Sequence, residues 1–397
     1  MSTSAQQIRT WNGPQILGYG FRPFFLGAAL YAAFAMVAWI GALTGAWTIP
    51  SAFGPVEWHV HEFLWGYLSA VLAGFMLTAA PNWTGRLPIV GVPLAVLWSS
   101  WVLGRIAVFF SAGWPPVLTA ALDLSFLAFL IAVLAREIIA GRNWRNLKVL
   151  AIVGLLLAGN ATYHVEMMRR GLAQDSVGLR IGLASGMLLI AVIGGRIIPS
   201  FTRNWLVRRA PGALPMPFDG DDKIIIAVTA LALLLWIAMP HALTTAIAML
   251  AAGIANLWRL SRWAGWRSLA EPLVGILHLA YLFLPLGFIA MAATLLFPES
   301  VPHSAGLHTW TVGAIVLMTL AVMTRASLGH SGMPLHADWR ISGIYLLAAT
   351  AAAARVCAGL FPQADWLIHL AAASWVLAFL LFAVVYAPLF VRSRARA

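Results

Sequence analysis

Long apolar stretches, separated by short segments rich in Pro and Gly, follow one another along the whole chain. Each stretch has about 20 residues, the length that a helix needs to cross a bilayer. The pattern predicts an all-α polytopic membrane bundle, and residues 1–397 are expected to form a single integral-membrane domain. The twelve predicted helices lie near residues 24–44, 58–80, 91–110, 117–138, 148–168, 180–199, 223–239, 242–260, 272–297, 308–328, 341–360 and 366–390.

The composition agrees with a protein of the lipid bilayer. Hydrophobic residues make up 61% of the chain and charged residues only 10%, whereas a soluble domain has about 25% charged residues. The net charge of +12 is explained by arginines on one side of a membrane, so we expect no nucleic-acid partner. The single cysteine, Cys357, excludes a disulfide within the chain and a metal site built from several cysteines.

Basic residues are unevenly distributed between alternate loops. One set of loops carries most of them, as in residues 142–148, whereas the opposite set carries only Arg169, Arg170 and Arg180. Because basic loops stay in the cytoplasm, this bias predicts that the N and C termini are both cytoplasmic.

The cytoplasmic ends of the second, sixth and tenth helices show a weak similarity. They read AAPNWTGR, IPSFTRNW and MTRASLGH. The spacing of four helices suggests three four-helix repeats, although helix ends rich in Arg and small residues also arise by chance.

With this orientation, the ionisable side chains within the helices gather near the outer face. Charge inside a bilayer is costly, so it is normally paired or functional. The middle of the predicted bundle is nearly free of charge, which disfavours a midplane site for a charged substrate. The outer residues are Glu62, Arg105, Asp123, His164, Glu166, His308 and Arg355.

His59 and His61 are two positions apart, which corresponds to about 200° of rotation on a helix. Both can therefore face one metal only if the helix begins after His59. Alternatively, His61 belongs to a second centre, or both histidines bond to loops. His164 follows Asn160 by four residues and so shares its helix face, which would allow Asn160 to orient an imidazole. The competing interpretation of His164 is a polar helix end.

His278 and His330 lie nearer the cytoplasmic side. Each is a candidate ligand, but His278 is also explained by hydrogen-bonded packing, and His330 by a helix-end turn. Neutral imidazole is a common ligand of haem iron and of copper. Arg105 and Arg355 would hold the propionates of haem b, unless they pair with a buried carboxylate such as that of Asp123.

Several segments together resemble the NnrS family of membrane proteins. They are GFRPFFL at 20–26, WHVHEFLWGY at 58–67, GFMLTAAPNWTGR at 74–86, ILHLAY around His278, and the segment 308–335. The resemblance implies a protein that relieves nitrosative stress and binds haem and copper in the bacterial inner (cytoplasmic) membrane. The residues that carry over are His59, His61, His164, His278, His308 and His330.

The leading hypothesis is a haem–copper enzyme that reduces nitric oxide (NO) to nitrous oxide with electrons from an unidentified donor. His59, His61, His164 and His308 are the predicted metal ligands, and Glu62 and Glu166 the predicted proton donors. An alternative is a haem- or copper-binding protein that senses NO or protects against it without turnover. A third, less favoured, is a transporter.

Overall fold

The computed structural model describes residues 11–170, 176–209 and 211–392. Within these residues the chain forms twelve long helices and no strand, as the sequence predicts. Eleven of them are long and apolar enough to span a membrane; the other is α7. The helices are α1 (Phe21–Leu43), α2 (Pro55–Thr84), α3 (Val92–Phe109), α4 (Pro116–Ala140), α5 (Leu147–Arg170), α6 (Val177–Leu206), α7 (Gly220–Ala238), α8 (Leu243–Ser261), α9 (Pro272–Leu296), α10 (His303–His330), α11 (Trp339–Leu360) and α12 (Trp366–Val391).

Proline and glycine set several of the helix boundaries. Pro55 and Pro116 stand in the first turns of α2 and α4, where a missing backbone N–H costs nothing. At the other end of α2, Gly85 takes a left-handed conformation with φ of 70°. Glycine adopts this conformation without the steric cost that a Cβ would bring, so the helix stops there.

The described chain divides into two compact units. The first comprises residues 1–182, 326–333 and 379–397, and the second comprises residues 183–325 and 334–378. The predicted single domain therefore remains a prediction. The cytoplasmic position of the termini also remains a prediction, because residues 1–10 and 393–397 lie outside the described part of the chain. The side chain of Arg170, one of the three basic residues of the opposite loops, lies outside it as well.

In the first unit, α2 is the most deeply enclosed of the candidate spans. The start of α6 approaches α5 at Gly178, where a Cβ would lie only 2.6 Å from the backbone oxygen of Gly159. Such close backbone approach requires small residues. One turn further along α5, the hydroxyl of Tyr163 donates to the backbone oxygen of Glu57 at 2.9 Å. This bond fixes α5 against the beginning of α2.

The second unit contains a buried polar network. Arg259 is fully buried and donates to Asp222 Oδ1 at 2.6 Å and to the backbone oxygen of Ala191 at 2.7 Å. Tyr281 donates to Asn256 Oδ1 at 2.8 Å and accepts from Arg259 at 3.1 Å. The network gives a buried guanidinium the partners that it needs and links α6, α7, α8 and α9.

Within the part of the chain that the structure describes, three helices contain a π-helical segment. The segments are Glu62–Leu68 in α2, Ile190–Gly194 in α6 and Thr309–Val316 in α10. Carbonyls within the first two accept side-chain hydrogen bonds, at Gly66 from Trp101 and at Ala191 from Arg259. The segments recur every fourth helix, on the same helices as the similar sequence ends, which supports three four-helix repeats.

Candidate metal centre

Side chains from α2, α4 and α5 converge inside the first unit. Asp123 Oδ2 lies 3.1 Å from His61 Nε2 and 3.0 Å from His164 Nε2. These three candidate ligand atoms all lie within 4.8 Å of one another, and all three residues are buried. The sequence therefore brings together two imidazoles and a carboxylate from three separate helices.

A second layer of charge surrounds this triad. Arg105 on α3 donates to Glu62 Oε1 at 2.6 Å and, through its other terminal nitrogen, to Asp123 Oδ1. The hydroxyl of the half-buried Tyr31 on α1 donates to Glu62 Oε2. One guanidinium thus bridges two buried carboxylates, which would otherwise repel each other in a medium of low dielectric constant.

His61 is held through both of its ring nitrogens. Nδ1 lies 2.7 Å from Glu62 Oε1, and Nε2 lies 3.0 Å from Asn160 Oδ1. The amide nitrogen of Asn160 also donates to Asp123 Oδ2 at 2.7 Å. Asn160 and His164 were predicted to share a helix face, and both side chains do reach this cluster. The imidazole that Asn160 contacts is that of His61.

Aromatic rings cover the triad. Phe53 packs edge-on against His61 at 5.4 Å and lies 5.6 Å from His164, measured between ring centroids. On another side, Trp65 and Tyr163 lie 5.4 and 5.8 Å from His61. This apolar cover excludes water and strengthens the electrostatic interactions within the cluster.

The donor set and its spacing fit a metal ion. Metal–ligand bonds of about 2.0–2.2 Å place neighbouring ligand atoms about 3.0–3.5 Å apart. The distances of 3.1 and 3.0 Å from Asp123 to the two imidazoles fall in this range. The contact from Glu62 to Nδ1 of His61 matches the carboxylate that typically orients a metal-bound histidine.

A family model described as NnrS protein matches residues 15–394, nearly the whole chain. The chain belongs to the NnrS family. Membership suggests a nitric-oxide-related, metal-binding membrane protein. No curated protein matches the chain.

Two of the predicted NnrS site residues contact other groups. His59 stacks on Trp39 with 4.0 Å between ring centroids and lies outside the converging group. The Glu166 carboxylate accepts from the backbone N–H groups of Val177 and Gly178 at 2.9 and 3.2 Å. That position, at the first turn of α6, is typical of a capping group, which satisfies helix N–H donors.

The two histidines predicted nearer the cytoplasmic side, His278 and His330, each contact other groups. Thr202 donates its hydroxyl proton to the backbone oxygen of Ile198 at 2.8 Å, so it accepts from His278 Nε2 at the same distance. Nδ1 of His278 therefore carries the lone pair. Gly265 packs closely against this ring, because a Cβ added to Gly265 would lie 2.5 Å from Nδ1. The ring of His330 packs edge-on against that of Tyr19, with 5.4 Å between the ring centroids.

His308 and Arg355 belong to the second unit. Nδ1 of His308 lies 2.6 Å from the backbone oxygen of Ser304. A carbonyl oxygen only accepts, so Nδ1 carries the proton and Nε2 holds the lone pair that a metal requires.

Sequence analysis missed Asp123 as a candidate ligand and Tyr31 as part of the cluster. Pairing with Asp123 was the alternative to propionate binding by Arg105, and Asp123 does pair with Arg105, through the oxygen that does not face the imidazoles. A carboxylate has two oxygens, so pairing and ligation are compatible. The depth shared by Asp123, His61 and His164 was the available signal.

Proposed function

We propose that this protein reduces NO to nitrous oxide at a metal centre held by His61, Asp123 and His164. The observation that carries the proposal is the convergence of two Nε2 atoms and one carboxylate oxygen in a buried, water-excluding site. NO is small and apolar, so it reaches such a site through lipid and the apolar cover.

The proposed metal is a first-row transition metal. Two imidazoles with one carboxylate form the donor set of non-haem iron(II) sites with open positions, and imidazole also suits copper. Non-haem iron is therefore proposed ahead of copper for this centre. Copper and haem b, which the family resemblance implies, remain part of the proposal, with His278, His308 and His330 as candidate haem ligands.

The reaction combines two NO molecules, two electrons and two protons into nitrous oxide and water. A bound metal would supply a site where NO accepts electrons from an external one-electron donor. His61, His164 and Asp123 would hold that metal, and the amide N–H of Asn160 would orient the carboxylate of Asp123. Arg105 offsets the charge of the two carboxylates.

Glu62 has two roles in this proposal. Its Oε1 holds Nδ1–H of His61, which directs Nε2 of that ring toward the metal. Its Oε2 accepts from the half-buried Tyr31, through which Glu62 would take up a proton from a less buried position. Glu166 is not assigned a step, because its carboxylate caps α6.

The test uses the full chain in lipid nanodiscs. Metal content and the absorption spectrum are measured first, followed by nitrous oxide formed from NO and an artificial reductant. His164→Gln removes a ligand and is expected to lower both bound metal and nitrous oxide formation at least tenfold. His369→Gln, at an exposed histidine of α12, is the control and should change neither.

The outcomes separate the functional classes. Bound metal without nitrous oxide formation would favour the non-catalytic NO-binding role. Unchanged metal content and activity in a folded His164→Gln variant would overturn the proposed centre.

A further inference from the structure

A groove lies in the first unit, where α2 and α4 both end. Its volume is about 230 Å³, and it is bounded by the last turns of α2, by residues 87–89 and by the last turns of α4. Seven of its nine lining residues are apolar, among them Leu77, Pro81 and Leu134, and the other two are Thr84 and Glu137. The groove is therefore apolar along most of its length and polar where the helices end.

The carboxylate that lines the groove is neutralised within the chain. Glu137 is buried and accepts from Nε of Arg86. Its neighbour Arg136 donates to Oε1 from Nε at 2.9 Å and from Nη2 at 2.8 Å. Two guanidinium groups thus share one carboxylate, so this end of the groove keeps an excess of positive charge.

Further cations lie between the end of α4 and the first turn of α5. The exposed residues of this set are Arg142, Arg145 and Lys148. The segment is fixed to the end of α2, because the side-chain amide of Asn143 donates to the backbone oxygen of Trp83. A Cβ on Gly141 would also lie 2.6 Å from the Cβ of Thr84. Between residues 124 and 165 the only acidic residue of the sequence is Glu137, so the cations of this end greatly outnumber the carboxylates.

Arg142 has an uncommon backbone conformation. Its φ is 50°, in the left-handed region, which a residue with a Cβ adopts only where its surroundings enforce it. The backbone N–H of Asn143, the next residue, donates to the backbone oxygen of Ile138 at 3.0 Å and helps to close this turn. The chain thus keeps an arginine at a turn position that glycine would occupy at lower cost.

Arg136 lies on the face of α4 that points away from the protein. Phe129 and Ile139, seven residues before and three after it, share this face and are 51% and 56% exposed. Since α4 is apolar and long enough to span a membrane, the exposed face borders lipid. The 25 residues of α4 extend for about 37 Å, more than the hydrocarbon core of about 30 Å. Its last turn, which begins at Arg136, therefore lies at the level of the lipid headgroups.

We propose that this groove binds an anionic phospholipid, with the headgroup phosphate at Arg136 and an acyl chain along the apolar lining. A guanidinium matches phosphate oxygens with a fork of N–H donors, and the cations of residues 142–148 add attraction for an anionic headgroup. The apolar lining gives the acyl chain a surface that is otherwise left to water. Glu137 is 14 residues from Asp123 on the same helix, a distance of about 21 Å, so the lipid site does not depend on the metal centre.

The experiment uses the full chain. It is reconstituted in bilayers of equal parts phosphatidylcholine and phosphatidylglycerol with identical acyl chains and is then extracted in detergent. The lipids that remain bound after washing are counted by mass spectrometry. In a second arm, the unfolding temperature in detergent is measured with phosphatidylglycerol, with phosphatidylcholine, and with glycerophosphoglycerol, which is the same headgroup without acyl chains.

Two variants and a control accompany the wild type. Arg136→Gln removes the proposed phosphate ligand, while Glu137 keeps its bond from Arg86. Ala80→Leu fills the groove without changing the charge. Arg340→Gln is the control, because the Arg340 side chain is 53% exposed and pairs with a nearby carboxylate, as that of Arg136 does at 63%.

The wild type is expected to retain about fivefold more phosphatidylglycerol than phosphatidylcholine and to be stabilised only by phosphatidylglycerol. Arg136→Gln and Ala80→Leu should each lose most of this preference, whereas Arg340→Gln should keep it. Equal retention of the two lipids by the wild type would overturn the proposal without reference to any variant. Equal effects of Arg136→Gln and Arg340→Gln would also overturn it, because they indicate a general attraction between a basic surface and anionic lipid. Stabilisation by glycerophosphoglycerol as large as that by the lipid would exclude the groove as the site of an acyl chain.

Discussion

Nδ1 of His61 lies 2.7 Å from Oε1 of Glu62, the next residue in the chain. Adjacent side chains on an α-helix do not normally face each other. Here they converge at the point where α2 passes into its π segment, which begins at Glu62. The change in helix geometry thus lets one turn of chain supply both an imidazole and the carboxylate that orients it.

The first prediction concerns this carboxylate. Glu62→Gln keeps the shape of the side chain but weakens its hold on Nδ1–H of His61. Metal affinity, measured by titration of metal-depleted protein, should fall about 10–100-fold. Glu57→Gln, the same change one turn earlier on α2, should leave the affinity unchanged. Equal affinities in the two variants would remove Glu62 from the centre.

The second prediction concerns the bridging arginine. Arg105→Gln leaves the carboxylates of Glu62 and Asp123 buried without their cation. Metal-free protein should lose about 3–5 kcal/mol of stability, the usual cost of breaking a buried ion pair. Arg340→Gln breaks a more exposed pair with Asp338 and should cost about 1 kcal/mol or less. Chemical unfolding in mixed micelles measures both variants, and similar losses would contradict the prediction.

The third prediction concerns the contact between α5 and α6. Gly178→Ala places a methyl group against the backbone of Gly159 and Tyr163, which should cost about 1–3 kcal/mol through overpacking. Gly154→Ala is the matched control on α5, because a Cβ there has no atom within 4 Å. That variant should gain up to about 1 kcal/mol from helix propensity. Thermal unfolding distinguishes them, and a neutral Gly178→Ala would argue against this close approach.

The fourth prediction separates capping from catalysis at Glu166. Glu166→Ala removes the acceptor for Val177 and Gly178, so stability should fall by about 1 kcal/mol. Hydrogen exchange at these two amides should become faster. The turnover number per folded protein should remain that of the wild type. A loss of turnover with unchanged amide exchange would return Glu166 to the proton-donor role predicted from the sequence.

The fifth prediction concerns pH. The hydrogen bond from Arg262 lowers the pKa of Asp219, which precedes α7, below its ordinary value of 3.8. A carboxyl whose pKa is lower in the folded state stabilises the protein above its unfolded pKa, and this contribution is lost as the pH falls through the folded pKa. Stability measured from pH 5 down to pH 2 should decline less steeply in Asp219→Asn. Identical curves would show that the Arg262 contact has no effect on folding.

Much of the architecture could be predicted because lipid imposes a simple pattern. Uninterrupted apolar runs gave all twelve helices, and Pro and Gly marked their ends. The shared depth of Arg105, Asp123 and His164 also indicated a polar cluster before any contact was known. The side-chain partners within that cluster depend on helix rotation, which apolar periodicity fixes poorly in a helix that is hydrophobic on every side.

The choice between His59 and His61 as a metal ligand shows most clearly what the sequence alone does not predict. Their spacing allows a shared metal only if α2 begins after His59, but the helix begins at Pro55. His59 therefore points toward Trp39 while His61 reaches Asp123. The π segment that follows has no signature in the amino-acid composition, because it differs from an α-helix only in its backbone hydrogen bonds, which join residues five positions apart instead of four.

The π segments also bear on how such a chain accumulates change. An α-helix that gains a single residue absorbs it as one wide turn, and every later side chain is then rotated relative to those before it. In α2, deleting one residue within Glu62–Leu68 would restore a regular α-helix. It would also rotate His61 about the helix axis relative to the residues that follow the π segment. Length variants at this place should therefore be tolerated far less well than ordinary substitutions, because they change the rotation of His61 relative to every residue that follows it in α2.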